Sequence, residues 1–160
     1  MSITFNTPTP LQKCRFRGID FLLKRDDLLH PDFSGNKARK IDFFLNNIPP
    51  EIKAIVSFGS IQSNAMYSLS AFAASYNLGF RYYANHIPKL LKEHPEGNVD
   101  LALRKGAEIM EGYEKLFVGE SELLIKEGLA CEEAYFGIKK LALELIDSLG
   151  NKEYQIFLPS

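Results

Sequence analysis

The apolar positions of this chain change period along its length, from short continuous runs to stripes three and four residues apart and back again. KAIVSF at 53–58 is rich in β-branched and aromatic residues, is preceded by IPPE and followed by Gly59, and predicts a buried strand. From Asn64 the residues Ala65, Leu69, Phe72, Ala73 and Tyr76 fall on one face of a helix, which Ser63 or Asn64 would cap and Asn77 and Gly79 would close. FRYYA at 80–84 predicts a second strand. Past a loop carrying Pro88 and Pro95, GNVDLALRKGAEIM at 97–110 predicts a helix from Asn98 to Lys105 and then a short strand. Ala134, Ile138, Leu141, Ala142 and Leu145 form another helical face that ends before Gly150, and YQIFL at 154–158 predicts one more buried strand. Residues 116–130 fit no single period, and no internal repeat is visible. Strands that are continuously apolar and regularly interleaved with helices predict an α/β fold, an open parallel sheet with helices on both faces.

One segment strains this pattern. Coiled at about 100° per residue, GNKARKIDFFL at 35–45 sets Lys37 on the side of Ile41, Phe44 and Leu45, with Arg39 and Asp42 facing the other way. A lysine in that position can lay its stem along apolar surface and let its head reach water. Alternatively, an amine aimed into the core belongs to a chemical site. The loop Gly59 to Asn64, at the carboxyl end of the predicted strand 53–58, adds weight to the second reading. It offers small polar residues and free backbone N–H groups at a helix start, which suits a carboxylate or a phosphate. Ser63 and Asn64 would also serve as plain helix caps, a role worth about 1 kcal/mol.

Composition narrows the partners. The chain has 160 residues, 46% hydrophobic and 24% charged, which fits one globular domain or two small lobes. A net charge of −1, with no run of Lys or Arg, offers no counterion-releasing surface, so no nucleic acid and no membrane is expected and a small molecule is. No window approaches the roughly 18 apolar residues of a membrane span and the start lacks a leader pattern, so a cytoplasmic location is expected. Cys14 and Cys131 read as reduced, buried thiols, and His30, His86 and His94 lack metal-ligand spacing, so no metal site is expected. Asp26 and Asp27, adjacent in an extended segment, would face opposite ways and read as a solvated strand end.

Four motifs, TPTPL at 7–11, KRDDL at 24–28, SGNKARK at 34–40 and SFGSIQSN at 57–64, occur in an order and at spacings that resemble a known family. It comprises pyridoxal 5'-phosphate (PLP) enzymes of the tryptophan-synthase β-like fold (fold type II), and within them the 1-aminocyclopropane-1-carboxylate (ACC) deaminase and D-cysteine desulfhydrase group. Beyond about Gly79 the resemblance rests on strand and helix order and on GNVDLALRKGAE and ALEL. It implies that Lys37 carries PLP as an internal Schiff base and then acts as general base, with the cofactor as electron sink. It further implies that Asn64 hydrogen-bonds the pyridine 3-hydroxyl oxygen, that Asn36 orients the lysine, and that Ser63 is a catalytic residue beside the substrate. Ser60, Gln62, Ser63 and Asn64 would hold the substrate carboxylate.

The activity implied is that of a lyase or deaminase of a small amino acid, of ACC or D-cysteine type, releasing ammonia and a 2-oxo acid. Members run about twice this length. The expected organisation is therefore residues 1–40 as the start of the larger PLP domain, 41–150 as the smaller α/β domain, and 151–160 as a truncated return strand. The glycine-rich phosphate loop and the partner of the pyridine nitrogen are not found, so weak PLP binding and weak or no activity of this chain alone are expected. Uncovered apolar surface at its two ends would favour association, a homodimer included. Two further readings stay open: a non-catalytic truncated product, and a module that binds an anion or amino acid without covalent chemistry. Ala65 stands where members often carry histidine, and Ser34 precedes Gly35 where they often carry glycine, which leaves ACC and D-cysteine both open as substrates.

Overall fold

Four parallel strands form the centre of the computed structural model, which describes residues 3–32, 35–150 and 153–157. They are β3 (Ala54–Gly59), β4 (Gly79–Ala84), β5 (Ala107–Glu111) and β6 (Glu122–Ile125), in the order β5-β4-β3-β6. Helix α2 (Asn64–Ser75) links β3 to β4, and α3 (Lys89–Glu93) and α4 (Gly97–Arg104) lie between β4 and β5. The sequence resolves β3, β4, β5, α2 and α4 because each is long enough to show its own period, whereas the five-residue α3 falls in the stretch expected to be a loop. β6 was hidden in the stretch 116–130, between helical turns at Tyr113–Lys115 and Glu127–Leu129.

The register decides which residues share a face. Ile55 pairs with Phe80 and Leu123, Ser57 with Tyr82 and Ile125, and Tyr82 with Ile109, so all of these point one way. That face meets Ala65, Leu69 and Phe72 of α2 and Val99 and Ala102 of α4 in a single apolar cluster. Burying a side chain such as Leu69 or Phe72 contributes about 1.5–3 kcal/mol. On the reverse face Val56 and Tyr83 are buried, and Phe58 meets Tyr113 edge to face at 5.8 Å.

The lysine segment departs from the straight helix expected of it. Helix α1 (Gly35–Ile41) tightens into a 3₁₀ turn over Asp42–Leu45, and α5 (Ala134–Leu149) covers its second side. Ala38, Ile41, Phe44 and Leu45 join the apolar cluster as expected. Arg39 and Asp42, expected to face away from the core, are buried too, at 1% and 7% exposure. Gly137 of α5 allows this close approach, since a Cβ there would lie 1.9 Å from the Arg39 carbonyl oxygen.

Two further departures concern the ends of the chain. Strands β1 (Leu11–Phe16) and β2 (Ile19–Lys24), not assigned from sequence, form an antiparallel hairpin. It turns on Arg17 and Gly18, whose φ angles of 49° and 82° are the pair that a two-residue hairpin turn needs. The hairpin exposes Phe16, Ile19, Phe21, Leu22 and Leu23, and α5 exposes Leu143 and Ile146. The strand expected at 154–158 does not form over 154–157, which have no ladder partner, because a strand exists only beside another; Leu158 lies outside the described residues, as does Ser34.

Candidate active site

The turn after β3 is held by its own backbone and by the neighbouring strand. Ser63 N–H donates to the Ser60 carbonyl at 3.1 Å, and Tyr82 Oη donates to the same oxygen at 3.0 Å. Ser63 caps α2, its Oγ accepting from Ala65 N–H at 3.1 Å. Burial pushes the Tyr82 hydroxyl well above its ordinary pKa, with Ser63 acting in the opposite direction, so it stays a donor at any physiological pH. The turn lies where β3 and β6 are neighbours, at the carboxyl ends at which parallel sheets bind ligands, with the Glu127–Leu129 turn following β6 beside it.

Gly59 is required at this corner. Its φ is 147°, and a Cβ would lie 2.6 Å from Tyr82 Oη and 2.8 Å from Glu127 Oε1. Glu127 is exposed and free to swing away, whereas Tyr82 is buried. Gly59→Ala is therefore expected to lower stability by about 2 kcal/mol in urea denaturation. Adding Tyr82→Phe, which removes the clashing oxygen, should recover part of that loss; a neutral Gly59→Ala would contradict this account.

Lys37 lies in the first turn of α1 and is half-buried. Burial lowers its pKa, and the nearby Lys40 charge lowers it further. Among the described residues its amine makes no hydrogen bond or ion pair, whereas Lys40 Nζ donates to the Gly128 carbonyl at 3.0 Å. No bond joins Lys37 to the 59–64 turn. What brings them to the same region is packing: α1 contacts α2 and the Glu127–Leu129 turn. From the loop before α1, Asp32 accepts from Tyr67 Oη of α2 at 3.2 Å and pairs with Lys105 at 3.1 Å. Asn36, beside the lysine, is also half-buried.

Of the expected carboxylate-binding side chains, Ser60, Gln62, Ser63 and Asn64 lie in one continuous turn. Two of them are engaged by α4. Asn98 Nδ2 donates to the Gln62 carbonyl and to Asn64 Oδ1, both at 2.9 Å, and Asn98 N–H donates to Gln62 Oε1 at 3.1 Å. Ala65, at the position where the resembled family often has histidine, is buried in the apolar cluster. Two clefts on the described surface, one around Phe44 to Ile48 and Tyr76 to Leu78 and one on the β1–β2 hairpin, lie away from Lys37 and residues 59–64.

Sequence reasoning missed the cluster that ties α1 in place. The Arg39 guanidinium makes two bonds to the Asp26 carboxylate, at 3.0 and 2.8 Å, and two to Glu144 of α5, at 2.7 and 2.9 Å. Thr9 Oγ1 donates to Asp26 at 2.6 Å, and Lys24 Nζ reaches the Thr9 carbonyl and Glu144, each at 2.6 Å. Asp26 is thus part of a buried network rather than a solvated strand end; Asp27 is exposed and pairs with Arg25. The signal was present in another form. Thr9, Lys24, Asp26, Arg39 and Glu144 come from TPTPL, KRDDL, SGNKARK and ALEL, the segments that carry the family resemblance. His30 Nδ1 accepts from Asp32 N–H at 3.1 Å and His86 pairs with Glu111, and no group of three metal-ligating side chains occurs among the described residues.

Fold and site together define an α/β parallel-sheet protein with an ACC-deaminase-like fold, in which a glycine-cornered helix start follows the carboxyl end of β3 and the helix carrying a half-buried lysine packs against α2 and the Glu127–Leu129 turn. The chain is similar to a Thermotoga maritima protein named "Putative 1-aminocyclopropane-1-carboxylate deaminase", with 27% identity over 168 residues covering 92% of this chain and 53% of that protein. Its fold matches the crystal structure of an ACC deaminase homologue with a TM-score of 0.72 at 19% identity, covering 94% of this chain and 51% of the other. A hydrogen sulfide-producing enzyme from Fusobacterium nucleatum aligns with a TM-score of 0.46 at 14% identity, over 92% of this chain and 41% of that one. No family model matches. The resemblance read from the four motifs therefore extends along almost the whole chain, which spans about half the length of the relatives it matches. No helix among the described residues is long and apolar enough to cross a membrane.

Proposed function

We propose that the chain is the amino-acid-binding portion of a PLP-dependent deaminase or desulfhydrase acting on a small amino acid of ACC or D-cysteine type, with Lys37 as the covalent anchor of the cofactor. The observation that carries the reading is the Lys37 amine, half-buried, without a hydrogen-bond or ion-pair partner among the described residues and held below its ordinary pKa by burial and by Lys40. A larger fraction of such an amine is neutral near neutral pH than of a solvated lysine, and so is available to attack an aldehyde or to take up a proton.

The residues present fit one side of the cofactor. The Gly59 corner, which a Cβ would fill, and the α2 N-terminus offer backbone N–H groups and the Ser63 and Asn64 side chains to a carboxylate and a ring oxygen. When bound, PLP supplies the sink for the electron pair left at the substrate's α-carbon. The chain's own residues bind the substrate carboxylate at the 60–64 turn, place Lys37 to hold and return a proton, and orient the ring through Asn64. Exposed apolar residues on β2 and on α5 support the rest of the reading, in which further polypeptide covers this lobe and grips the phosphate. The chain by itself is then expected to hold PLP weakly.

Titrating the chain with PLP should produce a visible absorbance band, and borohydride treatment should then leave a pyridoxyl mass on Lys37. Lys37→Ala should abolish both. A band that survives that substitution, or a label on another lysine only, overturns the reading. Labelling at Lys37 without release of ammonia or sulfide from ACC or D-cysteine favours a binding role over catalysis for this chain.

A further inference from the structure

We propose that Asn98, on α4, is a positioning residue that fixes Asn64 as a hydrogen-bond donor toward the bound ligand. This rests on the function proposed above. The Gln62 backbone carbonyl can only accept, so the Asn98 side-chain nitrogen 2.9 Å from it is an NH₂ group. That same NH₂ lies 2.9 Å from the Asn64 side chain. Two NH₂ groups cannot face one another productively, so Asn64 must present its oxygen to Asn98, and its own NH₂ is turned to the opposite side of the amide. Among the described residues no acceptor takes that NH₂.

Gln62 is held by the same logic. Its Oε1 accepts from the Asn98 backbone N–H at 3.1 Å, while its Nε2 lies 3.4 Å from the Glu96 carbonyl. The contact substitutes for a cap that α4 lacks, because the Glu96 side chain makes none. Gly97, with a φ of 58°, leaves room for it; a Cβ there would lie 3.1 Å from Gln62 Oε1. Backbone groups whose polarity cannot change thus dictate the orientation of both amides. A donor fixed in advance suits a ligand oxygen that carries negative charge, such as a deprotonated ring hydroxyl, and disfavours one that must itself donate.

The test uses two readouts. Without cofactor, the side-chain ¹⁵N–¹H signals of Asn64 should shift in Asn98→Ala and in the nearly isosteric Asn98→Asp, while the far-UV circular dichroism of Asn98→Asp stays that of wild type. With PLP bound, removing the fixed donor should make the ligand oxygen hold its proton more tightly. The pH midpoint of the visible band should therefore rise by about one unit in either Asn98 variant. Asn64→Ala should raise it similarly, and the double variant no further. Asn64 signals that stay put, or a midpoint moved by Asn64→Ala but not by Asn98→Ala, overturn the role of Asn98. Absence of any Lys37-dependent band in wild type instead overturns the cofactor reading, and the Asn64 signals still decide whether Asn98 holds the amide.

Discussion

Arg39→Met is expected to destabilise the chain by about 3–5 kcal/mol in urea denaturation, the range found when one partner of a buried ion pair is removed. The guanidinium is 1% exposed and makes four bonds to two carboxylates, Asp26 before α1 and Glu144 on α5. Methionine fills the volume but leaves both carboxylates, each only 13% exposed, facing an apolar side chain, with Lys24 still paired to Glu144. For Arg39, burial opposes the charge, yet the bonds to Asp26 and Glu144 outweigh it and hold the pKa above its ordinary value. For Glu144, burial acts upward and is likewise outweighed, by Arg39 and Lys24, which hold the carboxyl at about 2.

The sign with pH follows from that value. A carboxyl whose folded pKa lies below its unfolded one contributes stability above the unfolded pKa and loses it as pH falls. The Glu144 contribution is full above about 5 and is lost progressively toward pH 2. Arg39→Met should flatten this acid limb, so wild type and variant converge as pH drops. The triple variant Arg39→Met/Asp26→Leu/Glu144→Leu should recover part of the loss, since it removes the two stranded carboxylates but leaves the Lys24 ammonium without Glu144. An Arg39→Met protein as stable as wild type at neutral pH would show that the network contributes nothing.

Gly137→Ala is expected to cost about 3 kcal/mol or more, against the gain of up to about 1 kcal/mol that alanine brings to a helix interior. The added methyl would lie 1.9 Å from the Arg39 carbonyl oxygen, 2.8 Å from its carbon and 3.0 Å from Asp42 Cβ. Two of these are backbone atoms of α1, which cannot swing aside as a side chain can. Helix α5 has to move outward by about an ångström, and the bonds from Arg39 to Glu144, now at 2.7 and 2.9 Å, lengthen with it. The two substitutions act on one contact, so the double variant should lose less than the sum of the singles. Unchanged or increased stability of Gly137→Ala would mean that α1 and α5 are not packed this closely. Such a loss also bears on the proposed function, because α1 carries Lys37 and packs against α5.

The elements legible in the sequence were those whose signal is local. β3, β4 and β5 and the helices α2, α4 and α5 follow from apolar period and from Pro, Gly and Asn at their ends, and each appears within a residue or two of its expected span. The strand at 154–157 was misread because apolar composition alone cannot supply a pairing partner. The hairpin β1–β2 was overlooked although Arg17–Gly18 is a two-residue turn signal, because its strands lack a clean alternation: β2 is apolar on both faces and largely exposed.

The site divides in the same way. Lys37 and the Gly59 to Asn64 turn could be singled out by sequence alone, because an amine on an apolar stripe and a small polar loop at a helix start are short-range patterns. The burial of Arg39 could not be read there, since the carboxylate that makes it tolerable lies 105 residues away on α5, and a charge is buried or solvated according to partners that only the folded chain brings near. The orientation of Asn64 was equally invisible, being set by Asn98, 34 residues on. Sequence by itself determined which residues are chemically able to act; the tertiary structure decided which way they point and what holds them there, because hydrogen-bond polarity and desolvation depend on distance in space and not along the chain.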